Sequence, residues 1–230
     1  MANASERNTE SESRLGTVIV CFAVKEEAKF FPHLALSHGR IETLVTGMGA
    51  DNAARTFRHA LEILSPTLVL TCGFAGGLNP RLPAGAIVFS EDSEAGVAEN
   101  LINLKAAHAT FHCARRVAVT RAEKQQLWET TYADAVEMES GVIREICRAK
   151  HIPAATIRVI SDPASEDLPL DFNALMTSDC RLSYPRLVWS LVSSPVKIPA
   201  LISFQRQTTA AARALGETLE KLLRAKFDDR

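Results

Sequence analysis

From residue 17 to residue 161 the chain alternates short, strongly apolar runs with stretches of helical periodicity, and this alternation most constrains the fold. The runs TVIVCFAV, IETLVT, TLVLTC, AIVFS, RRVAVT and AATIRVIS read as strands, and AVEM can be extended. KEEAKFF, ADNAARTFRHALEIL, AEKQQLWETT, ESGVIREICRAK and QTTAAARALGETLEKLLRAK read as helices. Between the third and fourth strands, GFAGGLNPRLPAG reads as a long glycine and proline turn. Strands alternating with helices predict an α/β sheet covered on both faces. No internal repeat or low-complexity linker divides the chain, so residues 15–230 are expected to form one domain. Residues 1–14 are polar, lack the apolar core of a signal peptide, and are expected to be a disordered tail.

Charge and composition narrow the function. Lysine and arginine number 26 against 27 aspartate and glutamate, and no basic stripe is interleaved with aromatics, which excludes a nucleic-acid surface. A small neutral or weakly charged ligand fits such a chain better. The five cysteines form no CxxC pair, as expected in a reducing compartment, and a cytoplasmic location follows. The six histidines show no metal-ligand spacing, so no metal is expected. Residues 186–204 are apolar, but Pro195, Lys197 and Pro199 interrupt them too often for a spanning helix.

Two glycine clusters and several acids carry the chemical signal. TGMGADNAA places Gly47, Gly49 and Ala53 in G-x-G-x-x-A order between a strand and a helix. The next strand ends in Thr71 and Cys72, however, not in the acid that a dinucleotide ribose requires, so a nicotinamide enzyme is the weaker reading. The second cluster is Gly73, Gly76 and Gly77. Glycines at strand ends let backbone amides approach a ligand, and two such clusters together point to a site. In AVEMES, Glu137 and Glu139 flank Met138 at a strand-to-helix junction, where first-turn acids are ordinary. Asp162 follows the buried run ATIRVIS directly; poor hydration there would raise its pKa and suit it to general-acid work, although an N-cap role is the plainer alternative. Glu26 and Glu27 follow the first strand and could equally be first-turn acids.

In order and spacing, TVIVCFAVKEEA, LVTGMGADNAA, LTCGFAGGLNPRLPAGAIVFS, AVEMES and RVISDPA resemble the nucleoside phosphorylase and nucleosidase superfamily, which includes purine nucleoside phosphorylases and methylthioadenosine/S-adenosylhomocysteine nucleosidases. The resemblance implies a three-layer αβα sandwich with a central mixed, mostly parallel sheet, and cleavage of the N-glycosidic bond of a purine nucleoside. Carried over by residue, it implies Asp162 as the acid that protonates the purine and Glu27 as the group that activates water. It implies ribose and base contacts from Glu139, Met138, Glu137, Ser161, Phe74, Ala75 and Gly76. Gly47, Gly49 and Gly73 would form the glycine turn on the nucleophile side.

Two departures from the pattern matter. Thr71 and Phe74 stand where the phosphorylases carry an arginine and a serine for phosphate, which favours water as nucleophile unless Arg40, Arg55 or a neighbouring subunit supplies the charge. No cofactor is expected, with phosphate entering only as a co-substrate of a phosphorylase. Between Ser90 and Ala135 the purine-stacking phenylalanine segment of the methylthioadenosine enzymes is missing. That middle and the apolar end resemble the hopanoid-biosynthesis-associated branch, implying adenosylhopane, an adenine nucleoside carrying a polycyclic lipid. Residues 186–204 would then line a lipid groove or rest on a membrane; packing under a C-terminal helix or in a dimer interface explains them equally, and a homodimer is expected. A non-catalytic nucleoside-binding module is the reading from another class.

Overall fold

The computed structural model describes residues 16–34, 36–37, 39–177 and 195–228. The expected N-terminal tail and residues 186–194 lie outside them. In chain order the elements are β1 (Gly16–Phe22), α1 (Lys25–Ala28), β2 (Gly39–Val45), α2 (Ala50–Ile63), β3 (Leu68–Gly77), β4 (Ile87–Glu91) and α3 (Ala98–Asn103). They continue with β5 (Ala107–His108), β6 (Phe111–Cys113), α4 (Arg121–Thr131), β7 (Ala135–Glu137), α5 (Ser140–Ala149), β8 (Ala154–Asp162), α6 (Phe172–Leu175) and α7 (Ile198–Phe227).

Eight strands form one mixed sheet in the order β2-β1-β3-β8-β4-β5, with β7 pairing to the end of β3 and β6 to β7. The β1–β2, β1–β3, β3–β8, β4–β5 and β6–β7 pairs are parallel, and β4–β8 and β3–β7 antiparallel. Alternation along β1 shows why both faces are covered. Val18, Val20 and Phe22 pack with Leu215, Leu219, Leu222 and Leu223 of α7 on one face. Ile19 and Cys21 pack with Phe57 of α2 and Ile143 and Cys147 of α5 on the other. The sandwich is the α/β fold expected. All nine residues of β8 are buried, as a central strand demands.

Two expectations fail. GFAGG is not a turn: Gly73, Phe74, Ala75, Gly76 and Gly77 prolong β3 and pair with β8 and β7. Gly73 has φ +146, and a Cβ there would lie 2.5 Å from Glu27 Oε1 and 2.6 Å from Arg158 Nη1, so glycine is required by what packs against the strand, not by a turn. RRVAVT is not a strand either. Its backbone is satisfied by side chains instead: Val117 N–H donates to Asn173 Oδ1 (2.9 Å) and Val119 N–H to Glu123 Oε2 (2.8 Å). The strand of this region is the shorter β6, which ends just before the expected run.

Candidate active site

The carboxyl-terminal ends of β1, β3 and β8 and the β7–α5 junction enclose a cavity of about 300 Å³. Among its lining residues are Glu27, Phe74, Ala75, Gly76, Glu137, Met138, Glu139, Ser161 and Asp162, nine of the twelve expected site residues. The remaining three, Gly47, Gly49 and Gly73, do not line it. Gly49 N–H donates to Glu139 Oε1 (2.7 Å), so this amide is spent on a carboxylate of the site rather than on a ligand anion.

Each acid has a different environment. Glu27 lies in α1, the short helix that follows β1, and is 5% exposed. Its Oε2 accepts from Ala23 N–H (2.8 Å) and Val24 N–H (3.2 Å), and its Oε1 from Phe74 N–H (2.8 Å). Burial raises its pKa above the ordinary range, against the lowering effect of Arg158 and these amides. Glu139 lies two residues past β7, at the N-cap of α5. Burial pushes its pKa up to about 7, with Glu137 and Glu27 adding to the rise and Arg158 and Gly49 N–H opposing it.

Glu137 lines the cavity with both carboxyl oxygens bonded to protein groups. Its Oε2 accepts from Glu139 N–H (3.0 Å), Ser140 N–H (2.7 Å) and Arg158 Nη2 (2.5 Å), while its Oε1 accepts from the Ser140 hydroxyl (2.8 Å). Burial works against its charge, but Arg158 and these donors together hold its carboxyl below the ordinary range. With both oxygens engaged by protein, Glu137 anchors the α5 start and so positions Met138 and Glu139.

Asp162 ends β8 at an irregularity: Ala75 pairs with Ile160 but Gly76 with Asp162, leaving Ser161 opposite no partner. Such a bulge re-aims the residues after it, here turning Ser161 and Asp162 to the cavity. Asp162 Oδ1 lies 2.5 Å from Ser161 Oγ, and Oδ2 lies 2.6 Å from Lys124 Nζ. Burial raises the Asp162 pKa, against the lowering effect of Lys124 and Ser161.

Sequence reasoning missed two cations. Arg158 lies mid-β8 at 1% exposure, donating to Cys72 carbonyl O (2.9 Å) and Glu137, with Glu139 Oε2 at 3.9 Å. A cation in the middle of the mostly apolar run ATIRVIS was the available signal, because a buried guanidinium needs buried acids. Lys124 gave no such signal, being set in a polar helical stretch. Arg40 and Arg55, considered as sources of positive charge, pair instead with Glu42 and Asn52 away from the cavity. Thr71 donates to Thr156 Oγ1 (3.0 Å) and does not line the cavity. The cavity also has an apolar wall that includes Met48, Val117, Leu168, Phe172 and Phe204; of these only Phe204 falls in the segment 186–204 expected to line a lipid groove.

The model of the phosphorylase superfamily matches residues 21–114 and 94–183. The chain belongs to this superfamily. A curated relative, the 5′-methylthioadenosine/S-adenosylhomocysteine nucleosidase of Anoxybacillus flavithermus, is 25% identical over 181 residues, 61% of this chain and 75% of the relative. Two solved structures share the fold. The 5′-methylthioadenosine/S-adenosylhomocysteine nucleosidase of Neisseria meningitidis, in complex with methylthio-immucillin-A, has a TM-score of 0.67 at 17% identity, covering 92% of this chain and 100% of the other. The futalosine hydrolase of Helicobacter pylori strain 26695 has a TM-score of 0.66 at 15% identity, covering 92% and 98%.

Proposed function

We propose that this superfamily member hydrolyses the N-glycosidic bond of a purine nucleoside bearing an apolar 5′ substituent, releasing adenine, with adenosylhopane as the substrate suggested by the sequence resemblance. The observation that carries the reading is the placement of Glu27, Glu139 and Asp162 in one cavity, each with a different set of partners. Cleavage builds oxocarbenium-like charge on the ribose and a negative charge on the departing base. Asp162, its pKa raised, gives its proton to the imidazole nitrogen of the base while the C1′–N9 electron pair leaves with it. Glu139 accepts from the ribose hydroxyls, and Met138 packs on the sugar. A water adds at C1′ and passes its proton to Glu27, which three backbone N–H groups hold in place.

Water is favoured over phosphate by the local charge. Glu27, Glu137 and Glu139 surround the guanidinium of Arg158, whose Nη2 and Nη1 are already bonded to Glu137 and Cys72, and Arg116, which also lines the cavity, is paired with Glu123. A phosphate dianion would meet more carboxylates than cations. Arg158 is nevertheless the feature that favours a phosphorylase as the second reading. Leu168, Phe172 and Phe204 support an apolar 5′ group, and Ile198 and Ile202, both exposed, lie within about two turns of Phe204 at the start of α7, with exposed Val196 just before it. No helix among the described residues is long and apolar enough to cross a membrane, so contact with a lipid-linked substrate would be peripheral.

The test is adenine release from a 5′-alkyl adenosine, with and without phosphate, and identification of the sugar product. A free 5′-alkyl ribose formed at a phosphate-independent rate is the expected result. A ribose 1-phosphate derivative whose formation requires phosphate would establish the second reading instead, and binding without release would leave a nucleoside-binding module.

A further inference from the structure

Lys124 has no exposed surface, although it belongs to the otherwise polar helix α4. Burying an ammonium is costly, and a lysine on a surface helix escapes that cost by turning outward, so its inward course calls for a matched charge. Its Nζ donates to the carbonyls of Pro163 (2.9 Å) and Glu166 (2.8 Å) and lies 2.6 Å from Asp162 Oδ2. Both carbonyls belong to the turn that follows Asp162 directly, so the ammonium is caged by the chain that carries this acid. Asp162 lines the cavity and Lys124 does not; the lysine stands behind the acid.

The two carboxyl oxygens are thereby made unequal. Oδ2 is buried against the ammonium, which leaves Oδ1 as the oxygen available to a base in the cavity. Oδ1 is 2.5 Å from Ser161 Oγ, which is itself 3.3 Å from the Ala75 carbonyl. A hydroxyl has one hydrogen and two lone pairs. Ser161 can therefore donate to Ala75 while accepting from protonated Asp162, or donate to Asp162 once it is ionised, without moving.

We propose that Lys124 is the positioning residue of the catalytic acid: its ammonium holds Asp162 Oδ2 from behind, presents Oδ1 to the cavity, and neutralises the carboxylate charge that appears as the proton leaves for the base. The inference rests on Asp162 being the acid. In the step concerned, the proton passes from Oδ1 to the imidazole nitrogen of the purine and the C1′–N9 pair goes to the base. Asp162 is left as an anion, at the one moment when a fixed ammonium beside it counts most. Without that ammonium the same proton would leave behind a buried, uncompensated charge.

The test measures kcat/KM for adenine release from a 5′-alkyl adenosine across about pH 5 to 9 for four proteins: wild type, Lys124→Gln, Asp162→Asn and the double variant. Glutamine keeps a donor for the Pro163 and Glu166 carbonyls and removes the charge; Lys124→Met gives the same readouts if the amide folds poorly. Asp162 must be protonated to act, so the rate falls as pH rises through its pKa. The charged and polar groups facing it are Lys124 from α4, Ser161 from β8 and Glu166 from the turn after β8, and of these Lys124 and Ser161 lower its pKa while Glu166 raises it. Loss of the ammonium therefore moves the falling limb to higher pH. The expected outcome is a loss on the order of a hundredfold in Lys124→Gln, an alkaline shift of that limb, and a double variant no slower than Asp162→Asn. A wild-type rate in Lys124→Gln, an unmoved limb, or losses that multiply in the double variant would each overturn the inference. Wild-type speed in Asp162→Asn would instead remove the acid assignment itself, a result distinct from failure of Lys124 alone.

Discussion

Glu139→Gln is expected to make the protein more stable and less active at the same time. The pKa of Glu139 rises from the ordinary 4.5 to about 7 on folding, with burial as the largest cause. At about 1.4 kcal/mol per tenfold change in acidity, that rise is worth about 3 kcal/mol. The sign follows from which state binds the proton. Below about pH 4.5 both states are protonated and nothing is lost. As pH rises toward 7, the unfolded chain releases its proton first, and the folded state falls behind by about 3 kcal/mol before levelling off. Glutamine is neutral throughout, and its oxygen can still accept from Gly49 N–H, which now bonds to Oε1 at 2.7 Å. The variant should therefore exceed wild type by up to about 3 kcal/mol at pH 8, or about 6–12 °C in Tm for a chain of this size. The advantage should shrink steadily on acidification and vanish near pH 4.5. Denaturant titrations at a series of pH values supply the stability, and adenine release the activity. A variant less stable than wild type at pH 8, or an advantage that grows in acid, would refute the reasoning.

Arg158→Met should destabilise by about 3–5 kcal/mol, because it leaves Glu137 buried without its counter-charge. Since the Glu137 pKa is held low in the folded state, this deficit is complete above the unfolded carboxylate pKa and diminishes as pH falls through the folded value, which denaturant midpoints in acid and neutral buffer would check. Gly73→Ala should abolish adenine release, since its Cβ would press on Glu27 and Arg158 from a backbone with φ +146; a rate within tenfold of wild type would contradict this. Gly216→Ala, outside the cavity lining, should cost about 1–3 kcal/mol and affect stability more than kcat, because its Cβ would meet the Phe30 carbonyl O. Phe204→Ala should raise KM for a long-chain 5′-alkyl adenosine far more than for adenosine, and equal rises would remove Phe204 from the 5′ subsite.

The layers were legible in the sequence because apolar runs and helical periodicity record burial directly, and β1, β3 and β8 carry the strongest runs. Where a second demand competed with that record, the reading failed. Gly73, Gly76 and Gly77 look like punctuation, but here glycine makes room for side chains pressed against a central strand. Val117 and Val119 look like strand residues, but Asn173 and Glu123, distant or local side chains, take their amides. The acids Glu27, Glu139 and Asp162 were found through motif order, and the burial that raises the Asp162 pKa was expected from the apolar run before it; their specific partners were not, since these are set by tertiary contact. Arg158 could have been suspected from its place in β8. Lys124 could not, because only the turn after β8 converts a polar helical position into a buried one.

The Arg158 bond to the Cys72 carbonyl joins residues 86 apart in the chain, and the site draws equally on residues near 27, 75, 138 and 160. None of these segments can hold a nucleoside alone. During refolding, helix and local turns can return early, whereas the parallel β3–β8 pairing must first close a long loop. Recovered activity would therefore report completion of the sheet's centre, and should lag behind recovered helical signal in the same refolding reaction.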